Sequence, residues 1–270
     1  MHHAVAFLGD TVGSVGRSAA TAAAKRLRGH GVRTVIANGE NARNGSGLSP
    51  DNLRELLRGG IDAVTLGDHW AKDRQIVPLV EDPDQPVLRP ANLSAQAPGK
   101  RTVRIAIDSA PPLYVLTVLG RLFMPLPADS PFAAIDREVS AIPERDAMVI
   151  VEIHAEATSE KQAVAWHCLR TWCRDDAPRV VAVLGTHTHV PTADARLLDH
   201  VLAAQTDIGM CGPQRSVIGR DVSATLDAMV RQLPAPLEVA AEDPRAQGAI
   251  VRIDTLMRRA AAIEPFDLGV

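Results

Sequence analysis

Residues 4–10 read AVAFLGD, five apolar residues that run into a glycine and then an aspartate. A run so short and so apolar is the signature of a buried strand. The same figure returns in TVIANGE (34–40), IDAVTLGD (61–68), MVIVEIH (148–154) and VVAVLGTHTH (180–189). Helix-length segments separate the first three. Residues 15–28 are Ala-rich and are stopped by Gly29 and Gly31. A second helix opens at Ser49-Pro50-Asp51, with Ser49 as its cap and Pro50 in the first helical position. Strand, helix and strand in this rhythm give right-handed crossovers and a largely parallel central sheet, so the fold class is α/β.

Further along, 103–107 and 113–118 are β-like runs joined by Asp108-Ser-Ala-Pro-Pro112, a hairpin-like connection. A Pro-rich loop over 125–131 precedes another helix, and a helix over 159–173 follows the fourth strand. Residues 201–204, 237–241 and 249–253 are further strand candidates, with a helix near 222–231. No internal repeat and no low-complexity linker interrupts the chain, so 1–270 is expected to be one domain.

Composition narrows the function. Hydrophobic residues make up 46% of the 270, enough for a substantial core. The 29 basic and 32 acidic residues leave a formal charge of −3, which argues against long nucleic acid held on a broad basic surface. One Tyr and four Phe are too few for base-stacking platforms. Cys168, Cys173 and Cys211 form no CxxC pair, so neither a disulfide framework nor a zinc knuckle is expected. No basic leader with an apolar segment precedes the first strand, and no apolar run approaches the ~20 residues that cross a membrane. The expectation is a soluble cytoplasmic protein without a membrane partner, with homo-oligomers left open.

The five strands share more than apolarity. Each ends in a side chain able to bind a metal: Asp10, Glu40, Asp68, His154, and the pair His187 and His189. In α/β sheets the loops beyond the carboxyl ends of the strands are where ligands bind, so residues distant in sequence converge there. Carboxylate oxygens can bridge two ions, and neutral imidazole suits first-row transition metals. An extended His187-Thr188-His189 would put both rings on one side. A single catalytic zinc needs three protein ligands, so six candidates argue for two adjacent ions.

The motifs FLGDTVGSVGR (7–17), NGENARNGSGLS (38–49), GDHW (67–70), RPAN (89–92), HAEATSEK (154–161), GTHTHVPTAD (185–194) and TDIGMCGP (206–213) resemble the YmdB-like calcineurin-type metallophosphoesterases of bacteria. The resemblance runs in order over nearly the whole chain. It implies a four-layer αββα sandwich, with a second sheet that periodicity alone does not reveal. It also implies one metal on Asp10, Glu40, Asn41 and His189 and another on Glu40, Asp68, His154 and His187, with Glu40 bridging. His69 matches the family's catalytic histidine, and Arg121 aligns with an arginine that could contact substrate. Family members are phosphodiesterases, notably on 2′,3′-cyclic nucleotides, and commonly carry iron or manganese; zinc and magnesium suit the same donors.

Two departures stand out. The family pattern has Asn at the position of Asp68, and more often Asp at that of Glu152. An ionised Asp68, with Asp10 and Glu40, would cancel three of the four positive charges of two divalent ions and weaken them as Lewis acids. Glu152 reads equally as a group supporting the ligands or as a surface acid. The leading expectation is therefore a dinuclear phosphodiesterase acting on small phosphodiesters by in-line attack of metal-held hydroxide, with His69 assisting. The alternatives are a metal-binding regulatory protein slowed by Asp68, and a phosphomonoesterase or nuclease using the same site.

Overall fold

In the computed structural model, which describes residues 2–173, 177–234 and 236–270, the expected rhythm is present. The first half runs β1 (His2–Leu8), β2 (Asp10–Thr11), α1 (Gly13–Gly29), β3 (Thr34–Asn38), α2 (Pro50–Arg58), β4 (Ala63–Thr65), α3 (Val77–Glu81), β5 (Val87–Leu88), β6 (Thr102–Ile105) and β7 (Leu113–Leu119). It continues with α4 (Pro131–Ser140), β8 (Met148–His154), α5 (Thr158–Trp172), β9 (Arg179–Thr186), β10 (Arg196–Leu198), β11 (Leu202–Gln205) and β12 (Met210–Pro213). The chain closes with α6 (Val222–Arg231), β13 (Pro244–Asp254) and β14 (Arg259–Gly269). Ser49 caps α2 as its sequence implies, its hydroxyl accepting the Asn52 N–H at 3.2 Å.

The strands form two sheets. One has the order β2-β12-β13-β1-β3-β4-β5, with β14 also on β13; the other has the order β10-β11-β9-β8-β7-β6. The β1-β3-β4-β5 and β7-β8-β9-β11 runs are parallel, and the remaining strands extend each sheet mostly antiparallel. Three apolar layers hold the fold together. Ala4, Ala6 and Leu8 of β1 pack with Ala19, Ala23 and Leu27 of α1 and with Leu53 and Leu56 of α2. Val149, Val151 and Ile153 of β8 pack with Ile135 and Val139 of α4 and with Val164 and Cys168 of α5. Between the sheets lie Val5, Phe7 and Ile36 from the first and Val115, Ile150 and Leu184 from the second. The result is a four-layer αββα sandwich.

Strand periodicity explains why so many runs lack alternation. Neighbouring residues of β1 and β8 face different apolar layers, so both faces are buried and no polar face marks the sheet. For the same reason nothing local assigns a strand to one sheet or the other. Residues 237–241 are not a strand; only Val239 pairs, with Arg220. The edge strand β14, half-exposed and carrying Pro265, is longer than any strand signal in its sequence. No helix among the described residues is long and apolar enough to cross a membrane.

The inter-sheet layer changes character at one end. Following every second residue along β8 gives Met148, Ile150, Glu152 and His154, all buried, and β3 likewise runs from Ile36 to Asn38. At the carboxyl ends of the parallel strands the oily layer therefore becomes a polar one, and the candidate site sits there.

Candidate metal centre

Each strand end presents its side chain through a local device. Asp10, past Gly9, is fully buried, and its Oδ2 accepts the His187 N–H at 3.0 Å. Asn38 accepts the Glu40 N–H on its Oδ1 at 3.0 Å, which turns the chain so that the Glu40 carboxylate points inward. Gly67 has to be glycine: a Cβ there would fall 2.1 Å from Glu40 Oε2 and 2.4 Å from His154 Nε2. That absent methyl makes room for two side chains to meet.

The meeting point is His154 Nε2. Glu40 Oε1 lies 3.3 Å away, Asp68 Oδ1 3.1 Å and His187 Nδ1 3.1 Å. Ligand atoms of these four residues all fall within 4.8 Å of one another. One proton on one nitrogen cannot satisfy three partners, whereas a cation at their centre can. Beside them, Asn41 Nδ2 is 3.1 Å from Glu40 Oε1 and 3.2 Å from His189 Nε2. Asp10 Oδ1, 3.8 Å from His154 Nδ1, is buried with no hydrogen-bond partner. Such an orphaned carboxylate oxygen beside a neutral donor set fits a position for a second cation.

The charge balance follows from the same crowding. Burial pushes the Asp10 carboxyl up to about 7, against the pull of His154 and with the help of the Glu40 and Asp207 charges. Burial would raise Glu40 and Asp68 too. The charge of His154 and hydrogen bonds from His154 and His69 instead hold Glu40 well below the usual range. Hydrogen bonds from His154 and His187 do the same for Asp68. Burial opposes a charge on His154, but the Glu40 charge and bonds to Asp68 and Glu40 raise it well above its ordinary value. His69 is raised chiefly by its Nδ1 contact with Glu40 Oε1 at 3.2 Å. Burial lowers His189.

Glu152 is fully buried, which removes its reading as a surface acid. It accepts from Asn38 Nδ2 at 2.8 Å, Thr117 Oγ1 at 2.7 Å and Thr186 Oγ1 at 2.8 Å. The Thr186 hydroxyl, having given its proton to Glu152, accepts from His154 Nδ1 at 2.8 Å. That fixes the tautomer of His154 and leaves Nε2 facing the cluster. A register shift between β8 and β9 puts Thr186, rather than Gly185, beside His154. Glu152 was visible in sequence as a departure; its partners were not.

The His187-Thr188-His189 segment is not extended. His187 has φ 100° and His189 φ 65°, so the rings diverge on a left-handed turn: His187 goes to Asp68 and His154, His189 to Asn41. Glu40, Asn41, His69, His187 and His189 line a cavity of about 310 Å³, together with Gly45, Glu156, Thr188, Ile218 and Arg220. Arg121 is not among them. It lines a different cavity with Leu122, Ser130 and Phe132, and its N–H is taken by the Glu160 carboxylate.

Arg220 is the residue that sequence reasoning passed over, because a lone arginine in a loop carries no motif. Its guanidinium donates to the carbonyls of Asn44, Leu237 and Gly45, at 3.2, 2.9 and 2.6 Å. Gly45, at φ 77°, leaves room for it, since a Cβ there would meet the guanidinium at 2.6 Å. The Gly45-Ser46-Gly47 segment is therefore a turn that seats an arginine at the rim of the cavity.

The YmdB-like protein family matches residues 6–266. A 2′,3′-cyclic-nucleotide 2′-phosphodiesterase of Bacillus subtilis (strain 168) is 34% identical over 261 residues, covering 96% of this chain and 95% of the relative. A hypothetical protein of Thermus thermophilus has a crystal structure that superposes with a TM-score of 0.88 at 37% identity, over 98% of this chain and 99% of that one. A phosphatase of Mycoplasma pneumoniae gives 0.89 at 26% identity, over 100% and 94%.

Proposed function

The chain belongs to the YmdB-like family, and from that premise we propose that it is a metal-dependent phosphodiesterase of small phosphodiesters, 2′,3′-cyclic nucleotides foremost. The convergence of Glu40, Asp68 and His187 on His154 Nε2 is the observation that carries this reading. In it, Asp10, Glu40, Asn41 and His189 hold one ion and Glu40, Asp68, His154 and His187 the other, with Glu40 shared. Bound there, a pair of divalent ions, iron or manganese before zinc or magnesium, supplies Lewis-acid stabilisation of the phosphoryl oxygens and lowers the cost of deprotonating the attacking water.

The remaining work falls to the chain's own groups. His69, half-exposed at the cavity with Nδ1 3.2 Å from Glu40 Oε1, is placed to give a proton to the leaving alkoxide. Arg220 offers a fixed positive charge to the anion, a role its position supports better than that of Arg121. Glu152 and Thr186 keep the ring of His154 in one orientation. A cavity of about 310 Å³ suits a small ester rather than a long strand of nucleic acid. We treat residues 1–270 as one domain, because the reading draws ligands from both sheets. We place it in the cytoplasm, where thiols such as Cys168, Cys173 and Cys211 stay reduced.

The test is hydrolysis of 2′,3′-cyclic AMP and bis-p-nitrophenyl phosphate by manganese-loaded protein. Activity should be lost on His189→Ala or Asp10→Ala. Fully loaded protein that cleaves nothing in a broad phosphoester panel would sink the reading.

A further inference from the structure

Two signature segments, HAEATSEK and TDIGMCGP, each hold a charged residue that the site as described leaves unused. Lys161 and Asp207 form an ion pair at 2.8 Å, with side chains only 2% and 1% exposed. Lys161 sits in the first turn of α5, one residue after Glu160, which turns away to the Arg121 and Leu122 N–H groups. The lysine runs past Gly185, where a Cβ would lie 3.0 Å from its Cδ.

Asp207 is saturated with donors. Its Oδ2 accepts the Thr188 N–H at 3.1 Å and the Thr188 hydroxyl at 2.8 Å, besides Lys161. Its Oδ1 accepts the Gly209 N–H at 2.9 Å, and the Gly209 carbonyl in turn accepts the Asp10 N–H at 3.2 Å. One carboxylate is thus tied to the residue between the two histidines and, through the single residue Gly209, to Asp10.

The backbone at that point needs such a tie. Left-handed φ at both His187 and His189 is costly for residues with a Cβ and persists only where the surroundings over-determine it. Thr188 lies between them, and Asp207 holds it by backbone and side chain together. The outer contacts, His187 N–H to Asp10 Oδ2 and His189 Nδ1 to the Ile218 carbonyl, fix each histidine singly. The Thr188 contacts tie the segment between the two histidines to Asp207. Lys161 neutralises that buried carboxylate.

We infer that Lys161 and Asp207 are positioning residues that clamp Thr188 and thereby set how far apart His187 and His189 present their imidazoles to the two ions. The inference rests on the two-ion reading of the site, but not on what the site hydrolyses.

Metal-free wild type, Thr188→Val, Thr188→Ser and Asp207→Asn are titrated with Mn²⁺ by calorimetry, with thermal melts in parallel. Wild type and Thr188→Ser should bind two ions alike. Thr188→Val and Asp207→Asn should bind at least one ion about 10–100-fold more weakly, the usual consequence of losing a group that orients a ligand. Thr188→Val keeps the volume and the ion pair, so it decides the matter if Asp207→Asn does not fold. Wild-type affinities in Thr188→Val overturn the clamp, whatever the melting temperature. Wild type that binds two ions without hydrolysing any ester defeats the phosphodiesterase reading and leaves the clamp standing. Wild type that takes up no Mn²⁺ removes both.

Discussion

The two sheets bring opposite chemistry to one place. Strands β1, β3 and β4 of the first deliver Asp10, Glu40 and Asp68; β8 and β9 of the second deliver His154, His187 and His189. Glu40 is held locally by Asn38 and has room at Gly67, whereas Asp10 is held across the sheets by the His187 N–H. The histidines are held from further away: His154 by Thr186 and Glu152, and the His187–His189 turn by Asp207. Neither set makes a site alone. Three buried carboxylates without cations repel one another, and three imidazoles without carboxylates leave the charge of two ions unbalanced. The packing of sheet on sheet brings the two sets together, with His154 Nε2 3.3 Å from Glu40 Oε1 and 3.1 Å from Asp68 Oδ1.

The largest expected effect comes from removing Glu40, which the proposed reading places in both half-sites. Glu40→Gln should lower kcat/KM on bis-p-nitrophenyl phosphate on the order of 10³-fold and reduce bound metal below one ion per chain. His189→Ala should leave one ion in place. Equal metal content in the two variants would break the picture of linked half-sites.

Chelation should expose the repulsion within the acid half, and pH should tune it. Asp10 is raised from 3.8 to about 7, so between those values the folded metal-free chain holds a proton that the unfolded chain has released. Its contribution is full below 3.8 and is lost as pH climbs through about 7. The raised His154 acts in the same direction, while the lowered Glu40 and Asp68 matter only in acid, where their contribution is lost as pH falls. The melting temperature in EDTA should therefore fall by several degrees between about pH 5.5 and 8, and Mn²⁺ should flatten that slope. A metal-free melting temperature that rises over this window would show that the carboxylates are not crowded as described.

The smallest expected effect is Asp68→Asn. Asparagine keeps an oxygen at the position of Oδ1, 3.1 Å from His154 Nε2, and removes one negative charge. Turnover should change by less than about tenfold, the two effects opposing each other. A gain of about a hundredfold or more would instead mark the natural chain as a metal-binding protein in which Asp68 suppresses catalysis.

The legibility of this site follows from what kind of information each residue carries. Asp10, Glu40, Asp68, His154, His187 and His189 could be picked out because each ends an apolar run, a local pattern. Asn41 and His69 required a resemblance. Lys161, Asp207 and Arg220 act largely through partners distant in sequence, up to 176 residues away, and no local pattern reports such contacts. The expectation of two rings on one side of an extended His187–His189 failed for the same reason. An extended segment is the local default, and the left-handed turn is held by Asp207 and Ile218 from other strands and loops.

Apolar runs and the residues that stop them act over a few positions. The order of amino acids therefore suffices to define the buried strands, where they end, and that those ends carry side chains able to bind a metal. Packing settled the rest: the ends belong to two sheets, acids on one and histidines on the other. A one-residue register shift sets Thr186 against His154, and a buried ion pair shapes the histidine turn. These arrangements arise where distant residues share one low-dielectric space, and short-range pattern does not encode them.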